Sequence, residues 1–412
     1  MRVDGALRSN GDVRLNAGGD YRQAGQVASA DGALSLNAGR DVSLDTDAAL
    51  QAGGPLQINA GGALRLAGTV LSLADLTLQA ARDAVVSGQL HANGALSLTS
   101  GGAAQFSEQA DLQSNQAMGI TAGSDILLAG SAQTNAGLAL HAGRQVQIDG
   151  AAYAYGGALS LDAGNGMILG NDSKTQGQSV VLRANDDIYA LGQVVSESGI
   201  SVKAGRDILL GGLANAFSDI NLNAGGALNA GAPVQWSAGG ILTASASGNM
   251  ALAGALRGDL GLQAQAGGAI DVQGLLASAK GSVGVTAGAG LSVASQGSIW
   301  AGGPLQLKSD ADLQVAGALS ALSNLAVQTA GNAAITGKLY ADGVLRLLAG
   351  ASLHTGSSAQ MQSGGDMTLR AQGMRLAGVA LSDGAMTLDA AGDLRVDGST
   401  LAYGGALTAT GG

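Results

Sequence analysis

One feature constrains this chain more than any other. A pair of apolar residues separated by one position recurs from end to end. The first member of each pair is Val13, Leu34, Leu56, Leu76, Leu96, Met118, Leu138, Leu159, Val180, Ile200, Ile220, Ile241, Leu260, Val283, Leu305, Leu325, Leu345, Met367, Met386 and Leu407. Neighbouring anchors lie 19 to 23 residues apart, with a mean near ~20.7, inside the range of solenoid repeats. A globular domain has no reason to hold one interval across 412 residues.

Within each period the pattern reads G-x-L-x-x-x-G-x-L-x-L-x-A-G-G/R-D-L-x-L. Clear copies are Gly32–Leu44, Gly88–Leu98, Gly199–Leu210 and Gly337–Leu347. Apolar residues two apart are a strand signature, with one face turned inward. Turns such as Ala38-Gly39-Arg40-Asp41 and Ala204-Gly205-Arg206-Asp207 split the two L-x-L pairs. Glycine there is expected to supply positive φ, and Asp to bond its own backbone. Helix is a poor alternative, because each interior glycine costs about 1 kcal/mol relative to alanine. The expected fold class is therefore all-β: a parallel β-helix (β-solenoid) of about 20 coils of roughly 20–21 residues. Each coil carries three short strands, and coils stacking at about 4.8 Å give a rod on the order of 95 Å long.

Composition agrees with thin aliphatic layers. The chain has 69 Gly, 3 Pro, 2% aromatic and 12% charged residues, roughly half the usual charged share. The narrow lumen is expected to hold aliphatic side chains and alanine, without large rings. The net charge of -10 is spread along the chain without a basic run, so neither nucleic acid nor an anionic membrane is an expected partner. Cysteine is absent, which removes disulfides, thiolate metal sites and thiol nucleophiles. No signal peptide opens the chain and no apolar run is long enough for a transmembrane helix. Residues 1–412 read as a single continuous repeat region, expected to be a fragment without end caps.

The repeated L-x-L-x-A-G-G/R-D-L/I/V-x-L unit resembles the haemagglutinin repeats of the filamentous haemagglutinin family, large exoproteins of two-partner secretion that include contact-dependent inhibition effectors. The resemblance spans essentially all 412 residues. It implies a right-handed β-helix and secretion to the surface of a Gram-negative bacterium through an outer-membrane two-partner transporter, which would act on a region absent here. It also implies roles in attachment, aggregation or biofilm through host-cell or bacterial surface receptors or glycans. The stalk of a contact-dependent growth-inhibition toxin is the alternative, and a polysaccharide-acting β-helix enzyme a distant one.

Few residues suggest chemistry. His91, His141 and His354 lie two or more coils apart, and no calcium-binding G-G-x-G-x-D motif occurs; neither a metal nor another cofactor is expected. The only glutamates are Glu108 and Glu197, and the densest acidic spots are Asp186-Asp187 and Asp41/Asp45/Asp47. A glycosidase needs paired acids across a cleft, and near-constant intervals leave no room for its loops. The glycine doublets are not phosphate loops, since no G-K-[ST] follows. Arg257-Gly258-Asp259 is a candidate integrin-type motif, expected in an exposed, shortened turn. His91, Trp300 and Tyr340 share one slot of the pattern, with Tyr153, Tyr155, Phe217 and Tyr403 in the same turn; aligned aromatics of this kind can stack on sugars or a partner protein.

Overall fold

The computed structural model describes residues 1–412. It is all strand and turn, without a helix, and forms a parallel β-solenoid. The chain divides into two compact units, Met1–Ala204 and Gly205–Gly412. Each unit is a stack of coils, and each coil has three sides. A long side of mostly five or six residues, such as Leu34–Ala38, is followed by a short side, Val42–Leu44, and a middle side, Ala49–Ala52.

Within each unit the strands pair in parallel with the same side of the next coil. In the first unit Leu34, Leu36 and Ala38 lie opposite Leu56, Ile58 and Ala60. In the second, Leu305 and Leu307 lie opposite Leu325 and Val327. Alternation of buried and exposed residues puts each apolar pair in the lumen, where Leu36, Val42, Leu50 and Leu347 are fully buried. Burying each such side chain contributes about 1.5–3 kcal/mol. One coil cannot bury this face alone, so stability comes from stacking.

Three expectations about the coil need correction. First, no glycine has positive φ. The corner glycines are required by close approach instead: a Cβ on Gly88 would lie 2.0 Å from the Gly68 carbonyl oxygen, and one on Gly337 1.9 Å from that of Gly317. Second, the corner aspartates bond forward rather than to their own backbone. Asp41, Asp83 and Asp312 accept the backbone N–H of Ala63, Ala103 and Asn332 in the next coil. The receiving coil has glycine one position earlier, at Gly62, Gly102 and Gly331, where a Cβ would strike the carboxylate oxygen. Where arginine fills that slot it pairs with the aspartate, as Arg40 does with Asp20 and Arg144 with Asp125. Third, the lumen does admit rings. Trp236, Tyr21 and Phe106 are among the largest fully buried side chains. Trp236 fits because its ladder neighbour Ala214 is small.

The register also departs from the apolar-pair count at two anchors. Leu242 and Leu262 take the inward positions, opposite Ile220 and Val283, while Ile241 and Leu260 face solvent.

Coil length is modulated by one device. The corner between the short and middle sides usually holds two residues, such as Ser87-Gly88. At Asp45–Ala48, Ser107–Ala110, Gly170–Ser173, Gly231–Val234, Ala294–Gly297 and Gly356–Ala359 it holds four, closed by a hydrogen bond from the fourth N–H to the first carbonyl. These tips recur 61 to 63 residues apart, which is every third coil. The first three belong to the first unit and the last three to the second.

Candidate functional site

The outward face of the middle side carries the sequence-selected residues. In the first unit one ladder column runs Leu71, His91, Gln113, Gln133, Tyr153, Gln176. In the second unit a column runs Ser237, Arg257, Ala277, Trp300, Ser320, Tyr340, Gln362. Arg257, Trp300 and Tyr340 thus occupy alternate rungs, separated by the small residues Ala277 and Ser320. Alternate rungs are about 9.6 Å apart at twice the strand spacing.

His91, Trp300 and Tyr340 were expected in a turn; each lies inside a four-residue strand instead. Their outward direction follows from the period of two, because the residue on either side is buried. His91 and Trp300 are half-buried and Tyr340 is exposed. The Tyr340 hydroxyl donates to Asp342 Oδ1 at 3.2 Å, and the Asp342 charge holds the phenol above its ordinary pKa. Tyr153 and Tyr155 also lie in a strand, whereas Phe217 and Tyr403 are at turns.

Arg257-Gly258-Asp259 is not a turn either. Arg257 and Gly258 end the strand Ala255–Gly258. Arg257 and Asp259 are exposed, but Gly258 points inward and is buried. A Cβ at Gly258 would lie 2.0 Å from the Gly261 carbonyl oxygen, so the glycine is set by packing. Leu262, not Leu260, restarts the inward pattern after it, which is why the turn looked shortened by two residues. Arg257 borders an open depression of about 450 Å³, lined also by Gln235, Ser237, Ala255, Leu275 and the tip residue Ala232.

The remaining candidates stay apart. His141 faces Asp162 on the long side, Nδ1 to Oδ2 3.5 Å, while His354 lies on the short side between Ala334 and Arg375. Asp41 accepts the Ala63 amide and lies 3.7 Å from Arg65. Asp45 and Asp47 sit at a solvent tip. Glu108 occupies the next tip and Glu197 a corner, so the geometry brings no glutamate pair together. This surface presents aromatic rings, amides and an arginine outward.

The amide track beside these columns escaped sequence reasoning. Asn115 donates to Asn93 and Asn135 to Asn115 at 3.4 and 3.1 Å, and Asn37 and Asn59 continue a second ladder from Asn16. A signal existed: these asparagines lie 20 to 22 residues apart, one coil each.

Parallel coils without inserted loops, an aliphatic lumen and an outward polar face define a β-solenoid shaft. A family model described as haemagglutinin repeat matches residues 1–68, 51–116, 300–373 and 355–412. These segments cover more than half of the chain, which therefore belongs to the filamentous haemagglutinin family. The family is a structural, adhesin-type one rather than an enzymatic one, its members are typically secreted or surface-exposed, and it implies a two-partner secretion context. No curated protein and no solved structure matches the chain. No helix is long and apolar enough to cross a membrane.

Proposed function

We propose that this chain is a stretch of the shaft of a secreted, surface-displayed filamentous adhesin of a Gram-negative bacterium, mediating attachment, aggregation or biofilm formation. The observation that carries the reading is the corner device. Between the short and middle sides the only departures from a two-residue corner are six compact four-residue tips. A catalytic cleft is usually walled by long loops, whereas a shaft needs only an unbroken ladder within its coils. The reading includes export through an outer-membrane partner, no enzymatic activity, and low-affinity receptor or glycan contacts along the middle side, at His91 in the first unit and Arg257-Gly258-Asp259, Trp300 and Tyr340 in the second.

The test is in-frame removal of residues 1–412 from the parent gene in its own host, with a three-coil deletion alongside. Adhesion and aggregation should fall sharply in the first strain and modestly in the second, with the protein still reaching the surface. Unchanged adhesion without the segment would sink the reading. A discrete toxin domain downstream, with inhibition of neighbouring cells as the phenotype, would move the assignment to a contact-dependent stalk.

A further inference from the structure

The coil at 151–163 differs from its neighbours. Its middle and long sides run on as one strand, Ala151–Ala163, and the next coil does the same over Lys174–Ala184. Between them the register shifts: Ala154 lies opposite Gly177 and Ala158 opposite Ser179. Three residues, Tyr155-Gly156-Gly157, therefore face the single residue Gln178. Such a bulge re-aims side chains and marks sites more often than defects. The two glycines are dictated by the coil below, since a Cβ on Gly156 would lie 2.3 Å from the Asn135 carbonyl oxygen and one on Gly157 2.6 Å from the Gly137 nitrogen.

The bulge places Tyr155 outward beside Tyr153. The rings stack with centroids 5.6 Å apart and planes 17° apart, and Tyr155 is 48% exposed. Burying these rings in the lumen would satisfy the hydrophobic effect better, so an exposed stacked pair needs another explanation. Amides surround it. Gln133 and Gln176 are the ladder partners of Tyr153. Asn135 follows Thr134, the partner of Ala154, and heads the exposed ladder Asn135–Asn115–Asn93. Each ladder bond leaves every asparagine a second N–H, so the rungs present hydrogen-bonding groups about every 4.8 Å along the coils.

The position also recurs in sequence. Counting by the three-coil interval from Tyr153 reaches His91 on one side, and from Tyr155 it reaches Phe217 on the other; Tyr340 and Tyr403 fall at the corresponding places further on. Phe217 and Tyr403 are strongly exposed. A ring thus stands at one or the other of these two places in five of the seven three-coil periods, the exceptions being the coils of Ala28 and Ala277.

From this arrangement we infer that the Tyr153–Tyr155 platform and the adjoining asparagine and glutamine columns form a binding site for an extended, uncharged, β-linked polysaccharide lying along the coil stack. An aromatic face receives the C–H face of a sugar ring, and amides at a fixed rise meet its hydroxyls. An extended β-linked chain advances per ring by a length close to one coil. No cation faces the rings from the two ladder partners, which are both glutamine, so an acidic sugar has no counter-charge there. The inference rests on the adhesive-shaft reading and specifies the ligand of its surface.

The test is calorimetric titration of the full chain with cellohexaose and chitohexaose, with maltohexaose as a curved, α-linked control. One or both extended hexasaccharides should bind and maltohexaose should not. Tyr155→Ala should weaken binding at least tenfold, Tyr155→Trp should preserve it, and Asn115→Ala should weaken it about threefold, with thermal midpoints unchanged because these side chains are on the surface. Equal binding by Tyr155→Ala, preference for maltohexaose, or no heat with either extended hexasaccharide would overturn the inference. The last result, combined with adhesion that still depends on residues 1–412, would leave the shaft reading standing and remove this site alone.

Discussion

The two units share a coil but fill and decorate it differently. Met1–Ala204 holds two three-rung asparagine ladders and a buried polar pair, in which the Tyr21 hydroxyl donates to Gln23 Oε1 at 2.9 Å. Gln23 Nε2 then donates to the Gly25 and Ala49 carbonyls. Its tips carry Asp45, Asp47, Glu108 and Asp172, whereas the tips of Gly205–Gly412 carry no charge. The second unit places Trp236 in the lumen with an indole N–H that has no hydrogen-bond partner. The difference teaches that the backbone ladder and corner glycines define the fold, while lumen volume and outward columns are free to vary. Trp236 sits beside the small rung Ala214, whereas Phe106 is accommodated between Val86 and Leu128, and the buried Gln23 amide is satisfied by a corner carbonyl, that of Gly25.

The sharpest way to break the comparison is at the lumen. Trp236→Ala should destabilise the second unit by about 3–5 kcal/mol, the cost of a large buried ring replaced by a cavity. Hydrogen exchange should show the loss around Gln235–Ala238 and its ladder partners, with the Leu34–Ala60 coils of the first unit protected as before. Uniform loss over both units would mean that they do not open independently.

Tyr21 gives the corresponding test in the first unit. Burial pushes its pKa up to about 12, against about 10 in an unfolded chain. The folded state therefore holds the proton more tightly. Its contribution is fully present below pH 10 and is lost as pH rises through about 12, an effect on the order of 2–3 kcal/mol. In Tyr21→Phe this alkaline loss should vanish from the first unit, while neutral-pH stability drops by about 1–3 kcal/mol because Gln23 Oε1 loses its donor. Denaturant melts from pH 8 to 12 decide it; an unchanged alkaline slope would refute the assignment.

Much of this was legible in the sequence. The apolar pairs specify strand, face and coil length, because a side-chain period of two and a backbone period near 21 leave little else. The slips at Ile241 and Leu260 have one physical source. Each was the first apolar residue after a turn, and only the ladder shows that Leu242 and Leu262 point inward. Trp236 was hidden because room for it depends on Ala214, a neighbour 22 residues away. The three-coil tip period was submerged in the spread of single intervals. Of the candidate columns, the shared slot of His91, Trp300 and Tyr340 was readable, but the Tyr155 bulge was not: it exists only in the mismatch between two coils.

Corner glycines separate close approach from mere composition. Gly88→Ala in the first unit and Gly337→Ala in the second should each cost about 1–3 kcal/mol, since the new Cβ overlaps a backbone carbonyl that can move only with its coil. Equal costs would show that the units share this constraint despite their different lumens. Tolerance at either position would show that the coil spacing relaxes there. The forward caps are weaker. Asp83→Ala and Asn249→Ala should each cost about 0.5–1.5 kcal/mol, the worth of one hydrogen bond to the Ala103 or Ala269 amide. Asp83→Asn should be nearly neutral, because Asn249 already makes the same bond with an amide oxygen.

The smallest expected effect has the opposite sign. Gly119 lies in the strand Met118–Ala122, and a Cβ built there would meet nothing within 4 Å. It lies between Ser97 and Ala139 on the outward face of the long side. Alanine at this position keeps an extended backbone that any residue adopts and removes unfolded-state freedom, so Gly119→Ala should stabilise the first unit by about 0.4–1 kcal/mol. Gly284 is its counterpart in the second unit, also outward in a long-side strand, but there the added carbon would lie 2.2 Å from Gln263 Oε1. That oxygen ends a flexible, exposed side chain that can swing aside, so Gly284→Ala should gain less than Gly119→Ala without reversing sign. Thermal melts of the two variants measure the difference. A loss at Gly119 would show that even the open glycines hold the coils closer than their contacts indicate.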